Sequence, residues 1–453
     1  MQKQMKWGFN GAGLLVVMIL IIFSVGIIGM KLPAYIPLLV SLLVSMLFLR
    51  LFGAHWDELQ AAMLAGLKTG LAPLFLFLLI GMLIALWMAT GVIPTLVWFG
   101  FKGASATWFL PSTVLVTAVI GSVIGSAFTT IGTVGVALMG IGTSLGFSPA
   151  LVAGAILSGA IFGDKSSPLS DSTNLAASIA EVDLFAHIRN LMWTTLPALG
   201  VSLLLFTWLG FGHHGHAGQS LASLMILLHP TWWSVIPLGL LVVMAILRIP
   251  AIPTLLMNVG VSALAFLVQN TPQDLADLLM NGYHTSVHNS LLAGLLNRGG
   301  MLPMMSTIII IMFALALGGV LTEMRVLQTL MEPLVAKIKT TAGTLTGLIL
   351  SGIGANFMIG EQYLATILPG QLWKPAFDSL KISRLALSRG LEDSGTVVNY
   401  LVPWGVAGSF AAQALGVSVS AFAPYVFFAL FSPIFSLLSA WTGLGLPDER
   451  SVK

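Results

Sequence analysis

The chain has 453 residues, 57% of them hydrophobic and 8% charged, with a net charge of +3 and a mean hydropathy of +0.98. Charged residues make up about 25% of an average soluble protein, so this composition excludes a string of soluble domains, and the small net charge argues against nucleic-acid binding. With no Cys, disulfides and thiolate metal sites are excluded as well.

What remains is an all-α polytopic transmembrane helix bundle, in which apolar stretches of about 20 residues cross a hydrocarbon core of roughly 30 Å. The length allows roughly ten to twelve such spans. The N-terminus carries Lys3 and Lys6 before an apolar run that continues to Met30. A signal peptide opens the same way, but this run is too long and lacks a small-residue cleavage site. It reads as a retained first span with its N-terminus in the cytoplasm. The region 1–53 thus supplies two spans, Leu14 to Met30 and Leu32 to Leu51. In the region 54–190 an acidic lead-in, HWDELQAAMLAGLKTG, precedes spans at Leu71 to Thr90 and Trp108 to Ile131, with Lys102 between them. Gly132, Gly135, Gly140, Gly142 and Gly146 then interrupt the helical pattern. From Gly103 to Gly163 there is no charged residue at all, after which GDKSSPLSDSTN places Asp164, Lys165 and Asp171 close together. The stretch EVDLFAHIRN reads as a surface turn or short amphipathic helix.

Connecting spans fill 191–271, around a polar loop with His213, His214 and His216 and a return at Arg248. Imidazoles bind Zn²⁺, yet such a loop is more often merely solvated. The region 272–420 repeats the plan of 54–190. An acidic lead-in, TPQDLADLLMNGYHTSVHNS, precedes a span at Leu302 to Leu321, then the Gly-interrupted TLTGLILSGIGANFMIGEQ and the charged LSRGLEDSGTVVN. The region 421–453 adds a last helix and tail. Paired, Gly-broken segments in two halves point to a transporter's binding site. A positive-inside count puts Asp57 inside and Asp274 outside, which makes the two units inverted repeats with discontinuous or re-entrant helices. In that count Lys374, Lys381, Arg384 and Arg389 fall on the outer side, unless a re-entrant segment reverses it.

Charged groups within apolar, broken helices mark ion or proton paths, because burying them is costly. Asp164, Asp171, Glu361, Glu392, Asp393 and Glu323 qualify, whereas Asp57, Glu58, Asp274, Asp277, Asp448 and Glu449 sit in polar segments. Structural charge pairing is the competing reading for each. Two clusters share a grammar: Asp171, Ser172, Thr173 and Asn174 in one half, and Asp393, Ser394 and Thr396 in the other. Unwound acidic and hydroxyl segments offer oxygen ligands to a hard cation such as Na⁺. Protons compete for the same carboxylates. Ser126, Thr129, Thr130 and Thr133 read as caps or back-bonded residues, while Asn356 and Gln362 join Glu361 at a Gly-rich break. No HExxH, GxSxG or GxxxxGK[ST] motif supports an enzyme or a phosphate-driven pump, so the expectation is a carrier without a cofactor.

The stretch GAIFGDKSSPLSDSTNLA, with GEQYLATILPG and LSRGLEDSGTVVNYLVPWGVAG, resembles the conserved blocks of the NhaC family of sodium/proton antiporters, which includes malate/lactate antiporters. The resemblance covers nearly the whole chain. It implies a bacterial inner-membrane secondary antiporter of Na⁺ and H⁺. By motif position it makes Asp164, Lys165, Ser167, Pro168, Asp171, Ser172, Thr173, Asn174, Glu361, Glu392, Asp393, Ser394 and Thr396 functional positions. Ser172 stands where Thr is expected in many relatives. The leading expectation is that Asp171 and Asp393 share Na⁺ and protons, that Asp164 is a second carboxylate, and that Lys165 offsets excess charge. Ser167, Asn356 and Glu392 support them. The alternative adds a small organic anion or amino acid, bound through Lys165, Arg384 or Arg389. The bilayer is the expected partner, with room for a homodimer.

Overall fold

The computed structural model describes residues 8–95, 106–211, 232–247, 249–284, 297 and 299–446. Lys3, Lys6, Lys102, Arg248, the histidine loop, Asp448 and Glu449 lie outside the described residues. All regular elements described are helices. The first are α1 (Gly8–Phe23, extended by a π turn over Ser24–Gly29), α2 (Tyr35–Leu51), α3 (Trp56–Thr69), α4 (Leu71–Ala89), α5 (Ala106–Ile124) and α6 (Ala127–Ser144). Next come α7 (Pro149–Ser166), α8 (Asp171–Ala180), α9 (Leu184–Phe211), α10 (Val235–Ile246), α11 (Ala251–Leu267), α12 (Pro272–Asn281), α13 (Met301–Glu323) and α14 (Val326–Lys337). The chain then forms α15 (Thr341–Ile359), α16 (Gln362–Ser379) and α17 (Arg384–Leu391, continued by a π turn over Glu392–Thr396 and a 3-10 turn over Val397–Leu401). It closes with α18 (Val406–Leu415), α19 (Val419–Phe422) and α20 (Phe427–Thr442).

Among the described residues, seven helices are long and apolar enough to cross a membrane, and eight if the bent pair α18 and α19 forms one span. Three shorter apolar helices, α2, α11 and α20, add to these. The count falls below ten because several expected spans are broken. Trp108 to Ile131 ends early at Ile124, because Gly125 takes the left-handed φ of +71° and Ser126 starts a new helix by accepting a bond from Thr129 N–H at 3.3 Å. A residue with a Cβ is strained at such a φ. Gly360, at φ +74°, ends α15 in the same way, and Glu361 caps α16 through Leu364 N–H at 2.8 Å. The chain turns back at both points. Gly142 lies against Phe109, and Gly347 lies against the Trp373 ring, so α5 with α6 and α15 with α16 are antiparallel hairpins.

The helix ends of these two regions recur at a constant spacing of 235 (341 − 106, 362 − 127, 384 − 149, 406 − 171), from Ala106 and Thr341 to Leu184 and Val419. Contacts recur as well. Gly135 meets Ile156 as Gly370 meets Leu391, and Thr117 meets Gly159 as Gly352 meets Ser394. The tightest of these crossings joins α5 to α7, where a Cβ on Gly163 would sit 2.6 Å from the Ala118 carbonyl and 2.6 Å from Gly121 Cα. Small residues let helix backbones approach this closely.

Two expectations need correction. EVDLFAHIRN is not a separate surface element: Glu181 ends α8 in the left-handed region, Asp183 accepts from Ala186 N–H at 2.8 Å, and α9 then runs unbroken for 28 residues. Asp393 does not lie in an unwound segment. It sits within the π turn of α17, and the true break in that half comes later, between Leu401 and Val406.

Candidate functional site

The broken helix ends meet. A Cβ on Gly125 would stand 3.0 Å from Ser167 Oγ and 2.6 Å from Leu169 Cβ, which brings the tip of the first hairpin onto the break between α7 and α8. In the other half Val406 N–H donates to the Gly360 carbonyl at 2.8 Å, so the second tip meets the break between α17 and α18. The N-termini of α6, α8 and α16 all face one cavity of about 590 Å³. Its polar lining includes Ser126, Thr129, Asp164, Ser170, Asp171, Ser172, Gln362 and Tyr363, with Thr69 and Thr254, and its apolar wall comes mainly from α4, α10, α11 and Phe128. Helix N-termini carry partial positive charge and favour carboxylates nearby. This is where the chain places its acids.

Asp164, in the last turn of α7, lies against the Ser170 hydroxyl and the Ala127 amide. Asp171 opens α8 with more than a third of its surface accessible, and its carboxylate makes no ion pair or hydrogen bond among the described residues. Ser170 and Ser172 bond each other at 3.0 Å. Thr173 and Asn174 are spent on the break: Thr173 Oγ1 donates to the Lys165 carbonyl at 3.2 Å, and the Asn174 amide donates to the Pro168 and Ser170 carbonyls. Ser167 Oγ accepts from Leu169 N–H at 3.2 Å, also holding the break.

Asp393 stands apart from this cavity. It is fully buried and ion-paired to Lys165, which is 2% exposed. Ser432 in α20 donates to Asp393 Oδ1 at 2.6 Å, Thr194 in α9 donates to Oδ2 at 2.9 Å, and Lys165 also reaches Ser432 at 2.8 Å. The Lys165 ammonium lies 5.6 Å from the centre of the Phe428 ring. Four helices therefore close around one ion pair, and Asp171 is not among its partners. Thr194 and Ser432 went unmarked in the sequence. Both sit among other hydroxyls in apolar helices, Thr194 beside Thr195 and Ser432 one turn before Ser436, a pattern shared with residues that merely bond back to their own turn.

Glu392, next to Asp393, accepts from Thr396 Oγ1 at 2.6 Å, while Ser394 Oγ donates to the Gly390 carbonyl. Asn356 donates to the Ser394 and Gly395 carbonyls and accepts from Asn399, which in turn caps α18 through Ala407 N–H. Glu361 is buried with Oε1 unpartnered. Glu323 ends α13 and joins neither group. Among the described residues, no three His, Asp or Glu side chains are grouped to hold a metal.

The basic residues suggested for an organic anion are engaged elsewhere. Arg389 donates to the Gly445 carbonyl and Ser439 Oγ, both at 2.7 Å. Arg384 binds Asp378 at 3.0 and 3.1 Å and also pairs with Glu181, which Lys374 contacts at 2.6 Å. The hairpin at Gly360 returns the chain, so Lys374 and Arg384 reach the same end of the bundle as Glu181. Hydrogen bonds from Lys374 and Arg384 hold the Glu181 carboxyl below the usual glutamate range. Its contribution to stability is complete above the ordinary value of about 4.3 and fades as pH falls through the lower folded value. Melting curves of purified protein should therefore drop between about pH 5 and pH 3, and drop less in Glu181→Gln. Equal slopes would rule the cluster out as a source of acid sensitivity.

A profile of the Na⁺/H⁺ antiporter family matches residues 3–173 and 159–444. The chain is 40% identical to the Na⁺/H⁺ antiporter NhaC of Alkalihalophilus pseudofirmus, over 100% of this chain and 99% of that protein. It is 35% identical to NhaC of Bacillus subtilis, over 97% and 99%. A malate-2H⁺/Na⁺-lactate antiporter of Bacillus subtilis is 34% identical over 86% of this chain and 85% of its own. With broken helices around a carboxylate-lined cavity and matches that run the length of the chain, this membrane protein belongs to the Na⁺/H⁺ antiporter family and exchanges Na⁺ for H⁺.

Proposed function

We propose that the cavity holds the transported cation, with Asp164 and Asp171 as the carboxylates for which Na⁺ and protons compete. What carries this reading is their shared position: both line one cavity at three helix N-termini, whereas Asp393 is committed to Lys165. The two stretches spaced by 235 residues are the copies of an inverted repeat, working in a bacterial inner membrane with the N-terminus in the cytoplasm. Lys165, next to Asp164 in the chain and bonded to Asp393, couples the cavity to α9, α17 and α20. When Na⁺ settles against Asp164, α7 passes the change to the next residue, Lys165, and so to its pair with Asp393. Ion loading is thereby linked to the buried ion pair through neighbouring residues.

Cargo is Na⁺ and H⁺ on this reading, without an organic anion. Among the described residues lining the cavity none is basic, and Lys165, Arg384 and Arg389 already have partners. A dicarboxylate would meet two like charges there. The test is Na⁺-dependent collapse of a proton gradient in everted vesicles. Removing one ligand charge at about 3 kcal/mol corresponds to a loss of roughly 100-fold, so Asp171→Asn and Asp164→Asn should each show almost none. Full exchange by well-expressed Asp171→Asn would defeat the assignment.

A further inference from the structure

Resting on that reading of the cavity, we infer that Tyr363 supplies a cation ligand from the second half of the chain, its phenol oxygen facing the carboxylates of the first. The neutral oxygens nearest in sequence to Asp171 are already engaged: Ser170 and Ser172 bond each other at 3.0 Å, and Ser170 also lies against Asp164. Thr173 and Asn174 are bonded to backbone carbonyls, and Ser126 Oγ already accepts from Thr129 N–H and Thr129 Oγ1. Tyr363 lies in the first turn of α16, at the tip of the other hairpin, and lines the same cavity as Asp164 and Asp171. It interacts electrostatically with both of them and with Glu361, and its hydroxyl neighbours the side chain of Gln362, another lining residue.

The spacing of 235 residues supplies an internal comparison. Tyr363 falls opposite Phe128 (363 − 128), and both rings line the cavity. Phe128 packs 5.0 Å from Phe410 and 6.1 Å from Tyr400. A phenyl ring is therefore enough to build the wall at this position of a hairpin tip, and the oxygen on Tyr363 is chemistry added to it. A cation held by Asp164 and Asp171 on one side and by Tyr363 on the other bridges the two halves. Its affinity then depends on how the halves are placed, which is what a carrier requires if binding is to shift its conformation.

The experiment is Tyr363→Phe in proteoliposomes, with exchange measured against Na⁺ and, separately, Li⁺. The ring is kept, so folding is retained. The half-saturating Na⁺ concentration should rise about tenfold, the scale for a lost bond to a charged group, with maximal rate within about twofold. The Na⁺ to Li⁺ preference should change as well. A purely structural role would lower the maximal rate or melting temperature and leave both half-saturation values where they were, which overturns the inference. The concentration of Na⁺ that protects purified protein against heat gives a second reading without transport, and an unchanged midpoint in Tyr363→Phe also overturns it. Exchange retained in Asp171→Asn would instead overturn the underlying cavity assignment, so the two failures are distinct.

Discussion

Lys165→Met should lower the stability of the folded protein by about 3–5 kcal/mol, the cost of leaving a buried charge without its partner. Asp393 would keep only the hydroxyls of Thr194 and Ser432, at 2.9 and 2.6 Å, in a site with no exposure to water. Such a protein is driven toward unfolding, because a buried carboxylate without its cation is costly. Adding Asp393→Asn removes the orphaned charge and keeps a group able to bond both hydroxyls, so the double variant should regain most of the lost melting temperature. Transport should not return, because the ion pair that answers the loaded cavity is gone. A single variant as stable as the parent, by thermal unfolding in detergent, would show that the pair contributes nothing to the fold. Buried ion pairs are often replaceable by apolar packing without loss of stability. Recovered stability with absent exchange would identify this one as kept for function.

Gly163→Val should be as damaging, for a reason of volume. The added Cβ would meet the Ala118 carbonyl and Gly121 Cα at 2.6 Å, and both are backbone atoms that no rotamer change can move aside. The α5 and α7 helices would have to separate along a close backbone contact, at the residue preceding Asp164. Overpacking in a rigid interior costs about 1–3 kcal/mol and sometimes more, and here a folded, active fraction should be nearly absent. Gly354→Ala is the matched control. A Cβ there meets nothing within 4 Å, and alanine is favoured over glycine within a helix by about 1 kcal/mol. Yield of monodisperse protein and its melting temperature would separate the pair. Similar behaviour of the two variants would remove close packing as the explanation.

The broad outline was open to reading because the bilayer forces it: apolar runs, Gly-broken helices and a charge-free stretch ending at Asp164 each follow from the cost of unsatisfied polar groups. Of the hairpin tips, the one at Gly360 was legible in the Gly-rich break before Glu361, whereas the span expected from Trp108 to Ile131 ran straight through Gly125. The correspondence between halves was misjudged from local text. Asp171-Ser-Thr-Asn resembles Asp393-Ser-Gly-Thr, yet at a spacing of 235 Asp393 stands opposite Ser158, Asp164 opposite Asn399, and Glu361 opposite Ser126. Helix ends fix that register, through Ser148 and Ser383 as caps and the left-handed glycines. A four-residue likeness within a helix carries no such constraint. Thr194 lies 199 positions from Asp393, and its role depends on packing that no local pattern encodes.

Matching positions of the two spaced units thus bear unlike chemistry, acid against amide or hydroxyl. A carrier with chemically identical halves could interchange their shapes and arrive at a state of equal energy facing the opposite compartment. On the inverted-repeat reading proposed above, such an interchange would set Asn399 in the surroundings of Asp164 and Ser158 in those of Asp393, so the two faces should differ in energy even when nothing is bound. The expected result is exchange in proteoliposomes that runs faster in one direction than in the other under mirrored gradients, and equal rates would count against it.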